Sequence, residues 1–134
     1  MTYRNYSRDF TIGTRGKPEI DGSSDPTFRG DAARYNPEEL LVASLSSCHM
    51  LWYLHLCAVN GVTVIDYRDD ATGTLEENGA ASGQFVRVEL RPTVRISETD
   101  DVAKARSLHD EAHRLCFVAR SVNFAIDVRA DVSS

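Results

Sequence analysis

Cys48 and Cys116 stand in very different surroundings. Cys48 lies in the uncharged stretch LLVASLSSCHMLWYLHLCAV, whereas Cys116 closes HDEAHRLC, which carries its own histidines and charges. The first setting predicts a thiol shielded from bulk water, the second a more accessible one. Together they suggest a redox pair, because a sulfenic acid formed on one thiol must be trapped by another before it is over-oxidised. A thiol attacks as the thiolate, so Cys48 needs a cation to draw its pKa below the free value of about 8.5. Arg29 and Arg34, in the segment just before the apolar stretch, are nearest in sequence, and Glu38 can hold such an arginine through a bidentate pair. Glu38 also has a plainer role, as an acid in the first turn of a helix.

Two other chemistries compete for these residues. His109, His113 and Cys116 fall at i, i+4 and i+7, so they can share one helical face, and His and Cys are good zinc ligands. No CxxC pair and no HExxH accompany them. His49 beside Cys48 brings a Cys/His acyl-transfer site to mind, but neighbours on a helix point about 100° apart. Cys57, nine residues beyond Cys48 in the same apolar run, reads as a small buried hydrophobe.

The elements that position these groups follow from local pattern. Asn36 as N-cap, Pro37 at the first helical position and the acids Glu38 and Glu39 start a helix that Asn60-Gly61 ends, with Ser46-Ser47 marking a bend inside it. From Leu40 to Val59 this helix has no Asp, Glu, Lys or Arg, enough length to span a bilayer. Its serines and histidines, its acidic flank and the lack of a following basic cluster argue against a span. A helix apolar on every side must then be buried on every side, which a chain of 134 residues can do only as a homodimer with a shared core.

Upstream, Arg8 to Ile12 predicts a short strand and Gly13 to Tyr35 a long loop with GKP and DGSSDP turns. Downstream, VTVIDYRDDATGTLEE predicts a strand, ENGAASG a turn, and Phe85 to Ile96 a second strand in which Pro92 marks an edge or bulge. A second helix begins at a Ser97 or Thr99 cap and carries Val102, Ala105, Leu108, Ala112 and Leu115 as its apolar stripe. FAIDVRADV closes the chain as a strand, giving the order β, helix, β, β, helix, β.

Length predicts a single domain over residues 1–134. A formal charge of −5 with scattered basic residues leaves no electrostatic footprint for nucleic acid or an anionic membrane. With no secretory or twin-arginine pattern at its start the chain is expected in the cytoplasm, where a disulfide is more often catalytic than structural.

NPEELLVASLSSCHM resembles the signature of the OsmC/Ohr family of organic hydroperoxide reductases, and AHRLCFVARSV is similar to that family's second-cysteine segment. The resemblance implies an α+β fold, an intertwined homodimer with antiparallel sheets around central Cys-bearing helices and active sites at the subunit interface. It implies a peroxidase in which Cys48 takes an oxygen from a hydroperoxide, Cys116 then forms a disulfide with Cys48, and an external dithiol, often a lipoyl group, reduces it. Glu38 orients an activating arginine, for which Arg29 is chosen and Arg34 held in reserve. No metal, haem or flavin is implied. Met50, Leu51, Trp52 and Phe117 would favour an alkyl or lipid hydroperoxide. A zinc-binding protein and a non-catalytic dimeric thiol sensor or ligand-binding domain are the alternatives.

Overall fold

The computed structural model describes residues 1–79 and 82–134, so Ala80 and Ala81 of the expected ENGAASG turn lie outside the described residues. The chain divides into two compact units, Met1–Leu41 and Val42–Ser134.

In the first unit, β1 (Phe10–Ile12) and β2 (Ile20–Gly22) form an antiparallel hairpin, so the expected long loop contains a strand of its own. A 3-10 turn follows at Pro26–Phe28. Arg29 ends it in the left-handed conformation, φ 68°, and Gly30 comes next because a Cβ there would collide with the Ser24 carbonyl. Helix α1 (Pro37–Val59) begins here with a reciprocal cap: Asn36 Oδ1 accepts the Glu39 N–H at 2.8 Å, and Glu39 Oε1 accepts the Asn36 N–H at 3.0 Å.

Most of α1 belongs to the second unit. The helix runs unbroken through Ser46-Ser47, where a bend was expected. The Ser47 hydroxyl donates back to the Ala43 carbonyl at 2.8 Å, and Ser46 reaches sideways to Asp69 at 2.5 Å. α1 stops at Asn60-Gly61 as anticipated. Gly61 supplies the left-handed φ of 73°, and the N–H groups of Gly61 and Val62 close on the Ala58 and Cys57 carbonyls.

Each expected long strand is cut in two. β3 (Val64–Asp69) and β4 (Thr72–Asn78) replace the first, β5 (Ser82–Leu90) and β6 (Pro92–Ile96) the second, and β7 (Ala125–Val128) and β8 (Asp131–Ser133) the last. Every break passes the chain from one sheet to the other, giving sheets of order β4-β5-β7 and β3-β6-β8. The neighbours β4/β5 and β3/β6 are antiparallel, whereas β7 and β8 join in parallel, so both sheets are mixed. Polar side chains secure the shared corner. Asp69 Oδ1 accepts the Arg91 N–H at 2.7 Å, and the buried Glu89 carboxylate meets Arg91 at 2.5 Å and Arg129 at 3.7 Å. Pro92 is the first residue of β6, where no ladder bond is asked of its nitrogen.

Helix α2 (Val102–Leu115) is capped by Asp101, whose carboxylate accepts the Ala103 and Lys104 N–H groups at 2.9 and 3.2 Å. The expected Ser97 or Thr99 cap is displaced because those residues lie in the turn before it. Tyr53 and Cys57 of α1, Val62, Val94 and Ile96, Ala105 and Ala112 of α2, and Val132 form the core of this unit. The architecture is α+β, two helices against two small mixed sheets.

Candidate active site

Cys116 is the residue at which α2 ends, its backbone already extended at ψ 115°. The chain then turns into a short 3-10 segment at Ala119–Ser121, and the Ala119 N–H points at the Cys116 sulfur from 3.4 Å. Cys116 itself is 1% exposed. Cys48 projects from the middle of α1, one residue from the buried His49 and therefore rotated by about 100° toward the edge of the packed face. The expected exposures are thus exchanged: within the protomer Cys116 is buried and Cys48 half-buried. The apolar run shields only one stripe of α1, Leu45, His49, Tyr53 and Cys57, while the charges around Cys116 sit on other faces of α2.

Cys48 and Cys116 are close enough for each to act electrostatically on the other, and both are free thiols. Burial, with the neighbouring Cys48 sulfur adding to it, pushes the Cys116 thiol up to about 11. It therefore rests protonated, and its attack on another sulfur requires loss of that proton. The fold thus makes neighbours of two thiols 68 positions apart in the chain.

Aromatic groups border the pair. Trp52, one turn beyond Cys48, meets Phe117, the residue after Cys116, edge to face at 5.8 Å, and meets His55 likewise at 5.9 Å. Phe117 and Leu51 remain 69% and 63% exposed, and Leu51, Trp52 and His55 line an open recess.

The histidines do not assemble into the ligand set that their spacing offered. His109 is buried with its Nδ1 3.0 Å from His49 Nε2, which commits it away from His113 and Cys116. Among the described residues no three His, Cys, Asp or Glu side chains are grouped so as to hold a metal ion. Nor does His49 address the Cys48 thiol. The sequence reasoning missed this His49–His109 contact and the Ser46–Asp69 bond, both long-range. The available signal was the four-residue recurrence of His49, Tyr53 and Cys57 on one stripe of an uncharged helix.

The remaining expected site residues belong to the first unit. Arg29 lies at the end of its 3-10 turn with the guanidinium 5.9 Å from the Tyr3 ring centroid. Arg34 faces Asp9, Asp21 and Asp31 at 3.5, 3.9 and 4.0 Å and donates to the Phe10 carbonyl at 3.3 Å. Glu38, half-buried, sits in the first turn of α1, where Glu39 rather than Glu38 completes the cap.

Taken as a class, this is an α+β protein with an adjacent thiol pair beside an aromatic-lined recess. The chain belongs to the OsmC-like protein family, whose model matches residues 30–131. It is similar in structure to an OsmC-like protein of unknown function from Vibrio cholerae O1 biovar eltor str. N16961, at 34% identity over 94% of this chain and 86% of that one, with a TM-score of 0.86. The fold is also that of the organic hydroperoxide resistance protein OsmC from Legionella pneumophila, at 18% identity, 99% and 100% coverage and a TM-score of 0.68. An organic hydroperoxide resistance protein from Elizabethkingia anophelis shares it at 17% identity, 100% and 99% coverage and a TM-score of 0.69. No curated protein matches the sequence.

Proposed function

We propose that this protein is a thiol-dependent peroxidase that reduces organic hydroperoxides to alcohols. The observation that carries the reading is that Cys48 on α1 and Cys116 at the end of α2 are interacting neighbours. The more open Cys48 is the thiol a substrate can reach, and its thiolate attacks the terminal oxygen of the hydroperoxide. The O–O bond breaks, the alkoxide takes up a proton to leave as an alcohol, and Cys48 becomes a sulfenic acid. Cys116 then attacks that sulfur; its proton leaves with the hydroxyl as water, and a Cys48–Cys116 disulfide remains. An external dithiol, with a lipoyl group as the proposed class, restores both thiols.

Trp52, Leu51 and Phe117 suit an alkyl or aryl group on the peroxide better than hydrogen peroxide itself. Arg29 is proposed as the cation that favours the Cys48 thiolate, with Glu38 as the carboxylate that orients it. We further assign the protein to the cytoplasm and to a homodimer in which a second copy covers the open, apolar face of α1.

Consumption of cumene hydroperoxide with a dithiol reductant tests the reading. Cys48→Ser should abolish turnover, and Cys116→Ser should allow a first turnover followed by over-oxidation of Cys48. Sustained turnover in Cys48→Ser would overturn the proposal. Stoichiometric oxidation of the wild type with no second turnover would instead identify a thiol sensor.

A further inference from the structure

His49 and His109 take no part in the peroxide chemistry above, yet they are 1% and 3% exposed. One comes from each helix. The bond between His49 Nε2 and His109 Nδ1 is 3.0 Å long, and the rings are within 8° of parallel with centroids 5.3 Å apart. That spacing means the imidazoles meet edge to edge, with the hydrogen bond between their rims. His109 at the same time lays its face on Tyr53, at 3.8 Å and 9°. Tyr53 in turn donates its hydroxyl to the Ala105 carbonyl at 3.1 Å, one turn before His109 on α2.

His109 is therefore held at its edge and on its face by two α1 residues one turn apart. Sliding α2 along α1 breaks the stack, and rotating it breaks the N···N bond. The arrangement carries a cost. Among the described residues His49 Nδ1 and His109 Nε2 are buried without a hydrogen-bond partner, and such an orphaned group costs about 1–3 kcal/mol. Two apolar side chains would fill the same space without that penalty but would not fix direction. Burial also keeps both rings neutral at pH 7, with the His49 pKa lowered to about 4 and that of His109 to about 3. One proton thus lies between them, and the bond joins a single donor to a single acceptor.

We propose that His109, gripped by His49 and Tyr53, is the positioning residue of the Cys48–Cys116 pair. Cys116 lies seven residues, two helical turns, beyond His109, and Cys48 is the residue before His49, so the grip fixes one sulfur against the other. The inference rests on the redox reading of the two thiols, since joining them requires Cα atoms about 4.4–6.8 Å apart.

The test uses the full chain without any peroxide. Purified wild type and variants are equilibrated across dithiothreitol redox buffers, the Cys48–Cys116 disulfide is quantified, and thermal melting is followed in parallel. Exchange converts the protein disulfide and reduced dithiothreitol into two protein thiols and oxidised dithiothreitol. His109→Phe keeps a ring on Tyr53 and loses the N···N bond; its disulfide should become about tenfold easier to reduce, about 30 mV for a two-electron couple. His109→Asn returns an amide to the position of Nδ1 and should recover at least half of that shift. His49→Leu removes the same bond from the α1 side and should match His109→Phe, which keeps the test decisive if either variant folds poorly. A wild-type equilibrium in His109→Phe and His49→Leu, whatever their melting temperatures, overturns the positioning role alone. A wild type that forms no such disulfide at any poise overturns the peroxidase reading together with it.

Discussion

On α1 the face turned into the protomer carries Leu45, His49, Tyr53 and Cys57, three of them with polar hydrogens, whereas the face left open carries Leu51 and Val59, each more than 60% exposed. An ordinary surface helix does the reverse. The inner stripe holds its neighbours through directed contacts: a histidine bond, a ring stack and a tyrosine hydroxyl on a backbone carbonyl. The outer stripe offers area without direction, as does Leu75 on β4, at 50% exposed. Geometry is thus built inside one copy of the chain, while the apolar area on the other side is where the proposed homodimer would bury surface. Cys48 sits where the two faces meet.

Truncating the inner face and charging the outer one should separate these roles with the largest effects. Tyr53→Ala removes a fully buried ring and should cost about 3–5 kcal/mol in urea unfolding. Leu51→Glu should leave the protomer fold intact and, by placing an unpaired charge in the interface of the proposed homodimer, weaken association by roughly 3–5 kcal/mol. Sedimentation equilibrium reads the second effect as a dimer becoming a monomer. An unchanged association state with a stability change below about 0.5 kcal/mol would make the outer face an ordinary solvated surface and break the comparison.

A smaller effect belongs to pH. His49 and His109 have folded pKa values depressed from 6.5 to about 4 and about 3, so between those values and 6.5 the unfolded chain binds more protons than the folded one. Stability is therefore complete above about pH 6.5 and falls as pH drops through the window, by up to about 1.4 kcal/mol per pH unit for each histidine. Urea unfolding of wild type and His109→Phe between pH 4 and 7 isolates the contribution, since the variant should show the shallower slope. Equal slopes would mean that the pair is not buried neutral in solution.

Much of this was legible in the sequence, and the limits have physical causes. Asn36-Pro37 and Asn60-Gly61 announce both ends of α1 because caps are local chemistry. The two cysteine segments identify the thiol pair through family resemblance, but not which thiol is the more buried. That outcome depends on how the end of α2 packs against the Cys48 side of α1, a tertiary event. Likewise, VTVIDYRDDATGTLEE is expected as one strand, whereas the chain changes sheets between Asp69 and Thr72. The corner is secured by Asp69, Glu89, Arg91 and Arg129, which come from distant parts of the sequence. His109 illustrates the same limit. Its spacing to His113 and Cys116 fits a ligand face, and only the position of α1 commits its Nδ1 to His49.

The mildest change asks whether a thiol on the inner face is chemically silent. Cys57 is 1% exposed, packed in the core with Tyr53, and burial raises its pKa. The nucleophile is the thiolate, so a buried and protonated sulfur without access to substrate should not react. Cys57→Ala then loses only packing, about 1 kcal/mol by comparison with larger truncations, and should retain wild-type hydroperoxide turnover. In the native wild type Cys57 should resist an aromatic disulfide reagent under conditions that modify Cys48, as peptide mapping after alkylation can read. If Cys57→Ala abolished turnover while melting within a few degrees of wild type, the inner face would hold a reacting thiol, and the separation of geometry inside from chemistry at the edge would fail.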